Sequence, residues 1–148
     1  MSSICTTIDQ SRRLLEIGLP ADTADMMYQQ YETIIGDDYG YKLKLVPYYS
    51  DDIEGVPAWT LNALLEAIPQ SLNMYDDSER CYKTYEINLF RSYYHCCGYS
   101  FGPSLKEENH DNLCCFGDDT WMDAVLKTVQ WLFENGHMKR ENKKDQSK

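Results

Sequence analysis

The chain has 148 residues, 43% hydrophobic and 26% charged, with a formal net charge of −10. That length suits one domain burying roughly two thirds of the surface its unfolded chain exposes, and the composition excludes disorder and collagen-like repeats. The charge disfavours nucleic acid, whose affinity for proteins comes largely from neutralised phosphates. No stretch approaches the roughly 18 apolar residues of a membrane span. The opening Met1-Ser-Ser-Ile-Cys5 has neither a basic nor an apolar leader region, so no secretion signal and a cytoplasmic location are expected.

The first predicted element is a helix. Thr7 is its cap, Gln10 completes a capping box, and Ile8, Leu14 and Leu15 (with Ile4 before the cap) supply its apolar side. Gly18, Leu19 and Pro20 read as a Schellman stop. A second short helix is expected from Asp22 to about Gln30. Gly36 to Gly40 reads as a turn, after which Tyr41, Leu43 and Leu45 alternate with Lys42, Lys44 and Val46, the period of a half-buried strand that Pro47 ends.

Pro57 suits the first turn of the next helix, where Leu61, Leu64, Leu65 and Ile68 recur at helical spacing before Pro69. The span from Cys81 to Tyr99 predicts a long bent strand or a hairpin, with its turn unplaced. A polar loop, Ser104 to Asn112, and a short strand, Leu113 to Phe116, follow. The last helix has Asp118 or Asp119 as cap, a stripe of Trp121, Ala124, Val125, Thr128, Val129 and Leu132, and Gly136 as stop.

This order predicts an α+β fold: a single domain over 1–138, with helices packed on one face of a small, mainly antiparallel sheet. Residues 139–148 read as a flexible basic tail of charge +3, which leaves nine basic against 22 acidic residues, or −13, in the body. Removing that tail is expected to cost little stability.

Val56 to Pro69 and Gly117 to Gly136 resemble paired segments of small proteins from gut Bacteroidales bacteria and their phages or prophages, and Cys5 to Met26 is similar to the start of those proteins. The resemblance covers somewhat over a third of the chain. It implies a bacterial or phage cytoplasmic protein. That family carries no established activity or catalytic residues to transfer, and the middle of this chain, with its Tyr-Tyr and Cys-Cys pairs, departs from its pattern.

Six cysteines, at 5, 81, 96, 97, 114 and 115, are read as free thiols in a reducing compartment. His95, Cys96, Cys97, His110, Cys114 and Cys115 raise the question of zinc. Adjacent cysteines in a strand point to opposite faces, so at most one of each pair reaches a common ion, and buried thiols in paired strands are the simpler account. The doublets Asp37-Asp38, Asp51-Asp52, Asp76-Asp77 and Asp118-Asp119 read as turn and capping chemistry. No phosphate loop, dinucleotide fingerprint, nucleophile elbow or zinc-protease helix occurs, so neither an enzymatic activity nor a cofactor is assigned.

Twelve tyrosines are the distinguishing feature, ten of them between positions 39 and 99. If Tyr48-Tyr49 and Tyr93-Tyr94 lie in strands, each doublet turns one phenol outward, where its rigid ring and hydroxyl suit a protein interface. These four residues are the expected contact surface of a non-enzymatic binding protein whose partner is another protein, basic-surfaced or a second copy. One alternative is a small-molecule binder that sequesters a nucleotide-derived signal, stacking its base on tyrosine and meeting its phosphate with Lys42, Lys44, Arg80 or Arg91. The third is a zinc- or thiol-dependent enzyme.

Overall fold

A computed structural model describes residues 4–35, 38–101 and 112–138, without the side chains of 31–42. It holds three α-helices and two antiparallel sheets, an α+β fold. The sequence reading puts the strands in one sheet. The structure divides them between two, one in each of two compact units that meet in sequence at Leu64 and Leu65.

The first unit opens with α1 (Ile8–Ile17). Thr7 accepts a hydrogen bond from the Gln10 amide at 3.1 Å, and the Gln10 side chain accepts one from the Thr7 amide at 2.9 Å, the reciprocal bonds of a capping box. At the other end Gly18 has φ 117°, and the Leu19 amide reaches back to Leu14 O at 3.0 Å. That closes the expected Schellman motif.

The expected second helix is instead a single 3-10 turn, Ala21–Thr23, followed by strand β1 (Met26–Ile35). Two residues of the expected helix, Thr23 and Asp25, are engaged elsewhere. The Thr23 hydroxyl donates to Pro20 O at 2.6 Å, and the Asp25 carboxylate accepts from the amide and hydroxyl of Thr60. Met26–Ile35 then pairs on both edges, with β2 (Asp38–Val46) and with β3 (Gly55–Ala58), in the order β2-β1-β3. Two ladders outweigh a weak local helical preference.

Pro57 lies in β3, not in a helix. The helix it was expected to start, α2 (Leu61–Ala67), begins after Thr60, whose hydroxyl accepts from the Ala63 amide at 3.2 Å. A proline fits there because β3 is an edge strand of four residues. The core of the unit gathers around fully buried Trp59, whose amide donates to the Thr6 hydroxyl at 3.0 Å and whose indole donates to the Thr23 hydroxyl at 2.9 Å.

The second unit is a four-stranded sheet with α3 (Trp121–Glu134) packed on β6 (His95–Ser100) and β7 (Asn112–Asp118). The remaining strands are β4 (Ser71–Asp76) and β5 (Cys81–Arg91), and the order is β4-β5-β6-β7. The span from Cys81 to Tyr99 is therefore a hairpin, with its turn at residues 92–94. Tyr99 stacks on Trp131 of α3, so the register puts His95, Cys97, Ile87 and Leu89 on the helix side. The helix cap is Thr120, not Asp118 or Asp119; its hydroxyl accepts from the Asp123 amide at 3.1 Å. The buried stripe is Met122, Ala124, Val125, Thr128, Val129 and Leu132, while Trp121, expected in it, is half-buried.

Candidate functional site

None of the four singled-out tyrosines lies in a strand. Tyr48 and Tyr49 belong to the first unit, in the segment after β2, with Tyr48 45% exposed and Tyr49 half-buried. Tyr93 and Tyr94 form the β5–β6 turn of the second unit, closed by the Ser92 amide donating to Tyr94 O at 3.0 Å. Strand alternation would have hidden one ring of each pair. In the turn it does not operate, and Tyr93 is 96% exposed and Tyr94 56%. Gly117 of β7 leaves room beside Tyr94: an added Cβ there would come within 3.3 Å of the tyrosine Cβ. Burial, and then the nearby carboxylates of Asp51 and Asp22, push the Tyr49 phenol up.

A third tyrosine pair escaped the sequence reading. Tyr75 and Tyr82 face each other across β4 and β5, edge to face, with ring centroids 5.2 Å apart. They are 52% and 74% exposed. The signal was present in the sequence, since two tyrosines flank the turn-forming Asp76-Asp-Ser-Glu-Arg80. Asp76 accepts from the Ser78 amide and hydroxyl at 2.9 and 2.7 Å and pairs with Lys83 at 3.0 Å. The Ser78 bond, and next the lysine, hold its carboxyl far below the usual carboxylate range.

The cysteine and histidine cluster is split by the sheet. Cys97 and Cys114 lie on the helix side, while Cys96 and Cys115 lie on the other. His95 meets Trp121 edge-on at 4.7 Å, and His110 lies outside the described residues. Burial pushes the Cys97 and Cys114 thiols up to about 11. A protonated thiol is a poor nucleophile and a poor metal ligand. Among the described residues, no three histidine, cysteine or acidic side chains converge as a metal site requires.

Of the basic residues named for a phosphate, the side chain of Lys42 lies outside what the structure describes. Arg80 immediately precedes β5 and Arg91 ends it, while Lys44 is in β2 of the first unit. A cleft of about 430 Å³ lies beside α1, lined by Asp9, Gln10, Arg12, Arg13 and Glu16, with no aromatic side chain to stack on. No described helix is long and apolar enough to cross a membrane. No protein family, curated protein or solved structure matches the chain.

Proposed function

We propose that the chain is a non-enzymatic binding protein that grips a basic-surfaced protein partner with Tyr93 and Tyr94 as its central contact. The observation that carries this reading is the exposure of that turn, where Tyr93 leaves 96% of its surface in water. Fully burying a large side chain of this kind contributes about 1.5–3 kcal/mol, and tyrosines recur among the few residues that dominate interface energies. Tyr48 and Tyr49 supply a second candidate contact in the first unit. The acidic body steers a basic partner into encounter. The resemblance to proteins of gut Bacteroidales and their phages adds that the protein works in the bacterial cytoplasm as an accessory or host-inhibitory factor.

The test is a pair of double variants, Tyr93→Ala/Tyr94→Ala and Tyr48→Ala/Tyr49→Ala, measured against a captured partner. Loss of the first pair should weaken binding at least about tenfold, equivalent to about 1.4 kcal/mol. Unchanged affinity in both variants rejects this surface. A melting midpoint raised by one member of a panel of cyclic and linear nucleotides would put the small-molecule reading in its place.

A further inference from the structure

Edge strands present unpaired backbone groups, and folded proteins blunt them with proline, lysine, short length or bulges. Three of the four sheet edges here carry such protection. β3 is four residues long and contains Pro57, and β2 carries Lys44. β7 has a register slip opposite Tyr99 and Ser100, and Lys127 donates to its Gly117 carbonyl at 3.3 Å. β4, Ser71-Leu-Asn-Met-Tyr-Asp76, has none: no proline, no lysine, and unbroken register with β5.

The hydrogen-bond phase of that edge is determined. The Ile87 amide donates to Gln70 O at 3.0 Å, so 70 and 87 form a hydrogen-bonded pair, and by alternation so do 72 with 85 and 74 with 83. The N–H and C=O groups of Ser71, Asn73 and Tyr75 therefore point away from β5, and all three residues are exposed. Among the described residues these backbone groups meet no partner.

We infer that this edge pairs with β4 of a second copy of the chain, antiparallel about a two-fold axis at Asn73. The resulting rungs are Asn73 with Asn73 and Ser71 with Tyr75, each exchanging two N–H···O bonds. The side chains match on both faces. Leu72 of one copy lies beside Met74 of the other on the helix side, while Asn73 faces Asn73 and Tyr75 faces Ser71 on the outer side. Asp76 meets Gln70, so no carboxylate opposes another, which matters in a chain of net charge −10. Neighbouring registers are worse. A slip one way sets Pro69, which lacks an N–H, opposite Tyr75; a slip the other way sets Leu72 opposite Asp76. This self-complementarity is what favours a second copy over an unrelated peptide.

The inference goes beyond the proposed function, since a second acidic copy is not the basic-surfaced partner named there, and it uses an edge that contains neither Tyr93 nor Tyr94, so the two fail separately. Sedimentation velocity across a concentration series should show monomers pairing with a dissociation constant on the order of 10 µM, since an edge contact is small. Pairing should tighten as added salt screens the repulsion between acidic copies. Asn73→Lys, an exposed change that places two cations face to face, should leave the circular dichroism intact and abolish the dimer; Tyr93→Ala/Tyr94→Ala should keep it. In the unmodified chain, hydrogen exchange at the amides of Ser71, Asn73 and Tyr75 should slow as concentration rises. A chain monomeric at all concentrations, a dimer untouched by Asn73→Lys, or a dimer in which these amides stay unprotected overturns the inference.

Discussion

Gly98 shows how much a single position can govern. It lies in β6 opposite Cys115, just before the register slips, and β7 runs so close that an added Cβ would collide with the Cys114 carbonyl and come within 2.9 Å of the Cys115 Cα. Those neighbours are backbone atoms of a paired strand and cannot swing aside. Gly98→Ala should therefore destabilise by about 1–3 kcal/mol, the range for overpacking a well-packed site, and denaturant unfolding measures it. Gly136 is a different case. Its φ is 75°, with open space around its Cα, so only its backbone conformation asks for glycine.

At the scale of elements, the helices are held by their ends as well as their faces. In α1 the Thr7 and Gln10 bonds satisfy two otherwise unpaired amides, and in α3 Thr120 accepts from the Asp123 amide while donating to its carboxylate at 2.9 Å. Thr7→Ala and Thr120→Ala should each lower unfolding stability by about 1 kcal/mol. Exposed Asp119, the rival cap by sequence, makes no such bond; Asp119→Ala should change stability by less than about 0.5 kcal/mol. A larger cost at Asp119 than at Thr120 would show the cap to be misassigned.

At the scale of the molecule, buried weak acids set the alkaline limit. Burial raises the Cys97 and Cys114 thiols to about 11 and the Tyr28 phenol to about 12, and raises Cys5 as well. The folded chain therefore keeps these protons at a pH where the unfolded chain releases them. Their contribution is fully present below the ordinary thiol value of 9.0 and is lost as pH rises from there through about 11. The urea midpoint should hold steady from neutrality toward pH 9 and then fall. Replacing Cys97 and Cys114 by alanine should flatten that fall, whatever it does to stability at pH 7. A midpoint that starts to drop well below the thiol range would point to other groups.

What the sequence determined by itself is whatever is settled within about one helical turn. The capping box at Thr7, the Schellman stop at Gly18 and the apolar stripe of α3 are legible from near neighbours, and all appear in the structure. β2 is a strand as expected, but the side chain it buries is Val46, from the face read as outward, while Leu43 is half exposed. Whatever depends on distant partners was decided only by the tertiary structure. Met26–Ile35 is a strand because β2 and β3 pair with both its edges, and Pro57 sits in a strand because that strand is an edge. β4 went unseen although Leu72 and Met74 alternate with Ser71, Asn73 and Tyr75, because a run of only six residues becomes a strand through its pairing with β5. The candidate site follows the same division. Its tyrosines are legible as a composition, but their exposure is not, because it depends on whether a doublet falls in a strand, which turns one ring inward, or in a turn, which exposes both.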